Sequence, residues 1–161
     1  MASTYLTRTP SSSSNRKTWT WSAWVKRGLV SGGSDQTLFQ AYVDSSNYTQ
    51  IRFAGGSDLI DIRNVDSGSV TGRLETTRVF RDTSAWYHIV VVWDTTNSTA
   101  GNRMRLYING VEETSFSPDT NPNLDDESTI NENVVHWIGK AGFSGYPNYL
   151  TGSMAMVQFV D

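Results

Sequence analysis

Three stretches of the chain bring carboxylates together: Asp58 with Asp61, Glu112 with Glu113, and Asp125-Asp126-Glu127. Paired carboxyls are the machinery of retaining glycoside hydrolysis, which needs them roughly 5–5.5 Å apart across the scissile bond. On a strand that geometry comes from acids two or four residues apart on one face. None of the three stretches provides it. Asp58 and Asp61 are an odd number apart and face oppositely on a regular strand, Glu112 and Glu113 are adjacent, and the acidic triplet sits in a loop without aromatic walls nearby. The spacing predicts no catalytic carboxylate pair. His88 and His136 are the only histidines. Each is flanked by apolar residues and reads as a hydrogen-bonded sheet histidine rather than a base or ligand. No Ser-His-Asp order stands out. Gly32-Gly33 and Gly55-Gly56 open no helix and read as turns, not phosphate loops. With no cysteine, disulfides, thiol catalysis, Fe–S clusters and Cys-based zinc sites are excluded.

The elements that must position any other site are strands. Ser84-Ala-Trp-Tyr-His-Ile-Val-Val-Val-Trp-Asp94 is apolar on both faces, with Trp86, His88, Val90 and Val92 opposite Tyr87, Ile89, Val91 and Trp93. Such a strand is expected to be covered on both sides. After a polar loop, Arg103 to Asn109 alternates, and Asn109-Gly110 is a strong hairpin signal because both residues tolerate positive φ. Further strands are expected at Tyr5–Thr9, Thr18–Lys26, Thr37–Asp44, Tyr48–Ala54, Leu59–Val65, Val70–Phe80 (one or two), Val111–Phe116, Val134–Ile138 and Leu150–Val160. Ser117 to Glu132 is expected to be a long rim loop. Trp19 or Trp21, Trp24, Trp86 and Trp93 are expected mainly in the core. About ten short strands with no helical period predict an all-β antiparallel sandwich, residues 18–161, preceded by an arm of residues 1–17.

The 161 residues suit one domain with a sizeable core. Aromatics are 12 % and charged residues 18 %, and the formal net charge is −3 with no basic stripe. That argues against nucleic acid as a partner. The first ten residues have no apolar run of a secretory signal, and no segment approaches the roughly 18 apolar residues of a membrane span. The last residues fall on a strand end, so the natural chain or its relatives are expected to continue.

Four spaced segments resemble one family. They are Thr18-Trp-Thr-Trp-Ser-Ala-Trp-Val-Lys-Arg-Gly28, Ala85-Trp-Tyr-His-Ile-Val90, Leu106-Tyr-Ile-Asn-Gly-Val111, and Ile138-Gly139 with Leu150-Thr-Gly-Ser-Met-Ala-Met-Val-Gln-Phe-Val160. In this order they resemble laminin-G-like domains of the concanavalin A-like lectin/glucanase superfamily. The resemblance implies a concanavalin A-like jelly roll. Narrower similarity lies in Thr4-Tyr-Leu-Thr-Arg-Thr9, Asn15-Arg-Lys-Thr-Trp19, Arg78-Val-Phe-Arg-Asp82, Asp94-Thr-Thr-Asn97 and Thr99-Ala-Gly-Asn-Arg103. These look like laminin-G-like domains of tailed-bacteriophage virion proteins, which implies a virion location after assembly in the host cytoplasm.

The resemblance also implies ligands. Sugar binding needs exposed aromatics beside amide and carboxylate groups. The loop Phe143-Ser-Gly-Tyr-Pro-Asn-Tyr149 offers Tyr146, Asn148 and Tyr149, against the alternative that Phe143 or Tyr149 packs into the core. A rim calcium is a second implication, with Asp119, Asp125 and Asp126 as candidate ligands, against the alternative of a merely solvated loop. No other cofactor is expected. The expected function is non-catalytic adhesion to a host-surface glycan by a tail fibre or capsid appendage, in a homo-oligomer with other virion proteins as partners. The alternatives are a capsid decoration or assembly module without sugar binding, and a cellular laminin-G-like adhesion module.

Overall fold

The computed structural model describes residues 4–30, 33–146 and 148–161. Twelve strands follow one another: β1 (Leu6–Arg8), β2 (Thr18–Arg27), β3 (Gln36–Asp44), β4 (Asn47–Phe53), β5 (Leu59–Asp66), β6 (Ser69–Val79), β7 (Tyr87–Asp94), β8 (Met104–Ile108), β9 (Val111–Glu113), β10 (Phe116–Thr120), β11 (Val135–Ile138) and β12 (Gly152–Val160). A single 3-10 turn, Ala100–Asn102, leads into β8. Among the described residues no helix is long and apolar enough to cross a membrane.

Alternation becomes layering. In β2, Trp19, Trp21, Ala23 and Val25 are buried while Thr18, Thr20 and Ser22 are not. Tyr87, Ile89, Val91 and Trp93 of β7 and Met104, Leu106 and Ile108 of β8 are buried on the same side. They meet Phe39, Ile51, Phe53, Ile60, Ile62 and Leu74 from a second sheet in one core. The strands form two antiparallel sheets, a larger one ordered β1-β11-β3-β4-β5-β6-β10 and a smaller one ordered β12-β2-β7-β8-β9. This is the expected sandwich, and part of the N-terminal arm joins it as β1 against β11.

Two devices lock the layers. Arg27 continues the inward alternation of β2 and is fully buried. It reaches the other sheet's connections, donating to the Phe80 carbonyl at 2.6 Å and to Asp58 Oδ1 at 2.9 Å, with its guanidinium 4.5 Å from the Phe53 ring centre. At Gly72 in β6 the layers approach closely. A Cβ there would stand 2.9 Å from Met104 Sδ and 3.2 Å from Trp93 Cζ3, so any side chain would have to displace both.

Five expectations need correction. Residues 116–120 are a strand, β10, paired with β6, rather than the start of a loop. Pro118 concealed it, yet β10 is an edge strand, where a missing N–H removes no ladder bond. Consequently β9 ends at Glu113 instead of running to Phe116. The alternation expected for β12 breaks where Met156 takes φ 51° and the register against β2 shifts between Ala155 and Gln158. β7 is not covered on both faces: His88, Val90 and Val92 are half-buried and Trp86 is 41 % exposed. Trp24, 38 % exposed, also leaves the core for that open face.

Candidate functional site

Period two sends alternate residues of the large sheet outward, and register lines them up. Trp137 of β11 pairs with Gln40 of β3, Gln40 with Gln50 of β4, Gln50 with Arg63 of β5, and Arg63 with Arg73 of β6. One row of polar and aromatic side chains therefore crosses five strands. A second row beside it is aromatic, with Tyr42 opposite Tyr48. A third is charged, with Arg52 opposite Asp61 and Asp61 opposite Glu75.

This outward face is not open to solvent throughout, because residues 139–146 and 148–150 fold back over one end. Gly142 donates its backbone N–H to Gln40 Oε1 at 2.6 Å. Phe143 lies edge-on to both Tyr42 and Tyr48, 5.1 Å from each ring centre. A Cβ on Gly142 would stand 2.9 Å from Trp137 Nε1 and 3.0 Å from the Tyr42 ring, so roof and floor are in contact. Lys140 Nζ sits 4.5 Å from the Tyr5 ring centre, 4.4 Å from Trp137 and 5.8 Å from Tyr149. Gln40 and Gln50 are consequently 0 % and 1 % exposed although they point away from the core.

Burial here is incompletely compensated. Trp137 Nε1, Gln40 Nε2, Gln50 Oε1 and Arg63 Nε are buried and have no hydrogen-bond partner. Each such group costs about 1–3 kcal/mol relative to a satisfied one. Four of them in one register row is a concentration of unmet hydrogen-bonding capacity of the kind a polar ligand fills. At the row's other end Asp61 accepts from three guanidiniums: Arg52 at 2.7 Å, Arg63 at 3.0 Å and Arg73 at 2.8 Å. Arg52 also pairs with Asp35, and Arg73 with Glu75. Burial works against the charged Arg73, but its hydrogen bond and charge interactions with Asp61 and Glu75 outweigh it and raise its pKa. These carboxylates are committed to arginines, and Asp58 is held by Arg27 and Arg81.

The sequence-derived sugar residues divide. Tyr146 stands in solvent at 74 % exposure. Tyr149 is half-buried and meets Tyr5 at 6.1 Å, beside the floor rather than in the core. Asn148, with φ 42°, anchors the roof: its carbonyl accepts from Thr37 N–H at 2.9 Å and its amide approaches Asp35 at 3.5 Å. Pro147 lies outside the described residues. The acidic loop residues are not brought to one point. Asp119 accepts from Asn121, Asp125 pairs with Lys17, and Asp126 accepts from the Asn123 N–H. Among the described residues no group of three or more His, Asp or Glu gathers as a metal site. Sequence reading missed Trp137, Gln40, Gln50 and Arg63. The available signal was the polar period-two set Tyr48, Gln50, Arg52 in a strand whose other face carries Thr49, Ile51 and Phe53.

The histidines are structural in geometry. His136 Nε2 accepts from the Asn131 N–H at 3.0 Å, which leaves Nδ1–H to donate to the Val134 carbonyl at 2.9 Å. Burial lowers its pKa, only partly offset by the bond to Val134. His88 stacks on Trp24 at 5.0 Å, on the open face of the small sheet.

The profile of the concanavalin A-like lectin/glucanases superfamily matches residues 2–161. No curated protein sequence matches the chain. Among solved structures, a putative carbohydrate-binding protein from Bacteroides ovatus superposes with TM-score 0.63 at 16 % identity, over 96 % of this chain and 40 % of that one. The CBM40 module of a Ruminococcus gnavus IT-sialidase, bound to α2,3-sialyllactose, gives 0.60 at 11 % identity over 89 % and 75 %. A heptameric SAP-like pentraxin from Limulus polyphemus gives 0.62 at 15 % identity over 96 % and 68 %. Identities this low establish a shared fold. The chain spans less than half of the Bacteroides protein and about two thirds of the pentraxin.

Proposed function

The chain belongs to the concanavalin A-like lectin/glucanase superfamily, and from that premise we propose that it is a non-catalytic glycan-binding module whose site is the outward face of the large sheet. The observation that carries this reading is the row of buried, unpartnered polar groups from Trp137 to Arg63 beside Tyr42, Tyr48 and Tyr149. Sugar rings stack on aromatic faces while their hydroxyls meet amides and guanidiniums. Carbohydrate-binding neighbours of the same fold support it. The absence of catalysis rests on the commitment of the nearby carboxylates to arginines. The resemblance of Thr4–Thr9 and Thr99–Arg103 to tailed-phage proteins supports display at a virion surface, in several copies, where weak sites gain from avidity.

The test is a glycan array followed by calorimetric titration. Gln50→Ala and Tyr149→Ala should each weaken the best ligand at least tenfold in chains shown by melting to remain folded, and Trp24→Ala should not. Running the titrations with calcium and with a chelator decides whether a rim calcium takes part. A folded chain that binds no glycan would sink the reading.

A second reading has its own observation. β12 is a long edge strand without a charged side chain, and Met156, Val160 and neighbouring Leu6 are 69 %, 65 % and 64 % exposed. An uncovered apolar edge suits a packing role in an assembly. Immunogold labelling of intact particles separates the two. Label at tail tips or fibres supports adhesion, label over the head supports decoration, and no label removes the virion setting.

A further inference from the structure

The unmet groups of the floor row are unequal in kind. Trp137 Nε1, Gln40 Nε2 and Arg63 Nε are donors, and Gln50 Oε1 alone is an acceptor. A sugar hydroxyl both donates and accepts, so a neutral ring would not call for this excess of donors. A carboxylate or sulfate accepts only. The charges on this face agree. Arg52, Arg63 and Arg73 share Asp35, Asp61 and Glu75, and Arg63 has only Asp61, which it divides with the other two. Lys140, at the opposite end of the row, has no carboxylate within 4.0 Å among the described residues. It is held by the rings of Tyr5, Trp137 and Tyr149. One cation therefore remains in excess on this face of a chain whose net charge is −3. Two separate cationic ends suit one or two fixed anionic groups, whereas a nucleic acid backbone needs a continuous basic stripe.

We propose that the row Trp137–Gln40–Gln50–Arg63 binds a glycan bearing a carboxylate or sulfate, lying across the strands between Lys140 and Arg63 once residues 140–143 lift from the floor. This rests on the glycan-binding reading and names its ligand class. Residues 140–143 of the roof are held by one backbone hydrogen bond to Gln40, the edge contacts of Phe143, the caged ammonium of Lys140 and buried Ala141, while Asn148 anchors the far end to Thr37. A ligand anion would accept from the unmet Gln40 Nε2 and draw on the Lys140 ammonium, while a hydroxyl of the same glycan would donate to Gln40 Oε1 in place of the Gly142 N–H.

The experiment is calorimetric titration of the intact chain with matched oligosaccharide pairs: oligogalacturonate against its carboxyl-reduced form, sialyllactose against lactose, and a sulfated oligosaccharide against its desulfated form. At least one acidic member should bind tenfold or more tightly than its neutral counterpart, with affinity falling as salt rises. Arg63→Gln and Lys140→Gln should each reduce that affinity at least fivefold, and hydrogen exchange at residues 140–143 should change on binding. Equal binding of both members of a pair overturns the acidic class and leaves the glycan reading standing. Acidic binding indifferent to both substitutions, with folding verified by melting, places the ligand elsewhere and overturns this site. If no acidic or neutral oligosaccharide binds here or on the array, the glycan reading fails with it.

Discussion

The outward faces of the two sheets are built from similar residues and treated oppositely. On the small sheet, Trp24 stacks on His88, Trp86 stands nearby in sequence, and all three meet solvent to a substantial degree. On the large sheet, the polar Gln40 and Gln50 are buried, with residues 139–143 lying over that face. The difference is topological. The connection from β11 to β12 must cross from one sheet to the other, and its glycine-rich course lies against the large sheet, while Trp24 and Trp86 of the small sheet's face stay 38 % and 41 % exposed. Hydropathy therefore says little about which outward face is covered. Chain connectivity decides it, and on the covered face four polar atoms of one register row are left without partners.

The strongest challenge to this contrast is electrostatic. Asp61→Asn removes the shared carboxylate of three arginines and should cost about 3 kcal/mol of folding stability, measured by urea unfolding. A cost near zero would mean that the charged row is solvated like the small sheet's face. A smaller effect is expected from Phe143→Ala, which deletes two edge contacts worth about 0.5–1.5 kcal/mol each. It should speed hydrogen exchange at residues 140–143 while leaving the β2–β7 pairing protected. Trp24→Ala should change stability by about 1 kcal/mol or less, as expected of a side chain with much of its surface already in water. A larger loss would show that the open face is covered in solution.

The mildest expected effect is on pH. Burial depresses the pKa of His136 below its ordinary value of 6.5. The unfolded chain then takes up this proton at higher pH than the folded one. The contribution is complete above pH 6.5 and is lost as pH falls from there through the depressed folded value. Protonation would also take Nε2 from the Asn131 N–H. In His136→Gln, the part of the acid sensitivity that begins at pH 6.5 should disappear from melting curves.

Much of the sandwich was legible because its signals are local. The alternation of Met104, Leu106 and Ile108, the Asn109-Gly110 turn and the inward set Trp19, Trp21, Ala23, Val25 each lie within one hairpin or strand. β10 was not legible, since Pro118 marks a loop unless the edge position is known. Trp24 and Trp86 were misplaced because a tryptophan's type does not tell which sheet face a later segment will cover. The candidate site lay further out of reach. Trp137 meets Gln40 across nearly a hundred residues of sequence, and only register puts them in one row with Gln50 and Arg63. Tyr149, singled out from its own loop, lies against Tyr5 and Lys140 beside that row.

Gly72 carries an implication for how this domain can vary. It pairs with Asn64 in a strand where a residue with a side chain would continue the ladder equally well, yet Met104, Trp93 and Pro122 close the space above its Cα. In a saturation scan of all positions it should tolerate substitution as poorly as Trp21 or Trp93, while exposed Tyr146 in the roof accepts almost any residue without loss of fold. The sequences open to this architecture are thus limited as firmly by one absent side chain as by its largest buried ones.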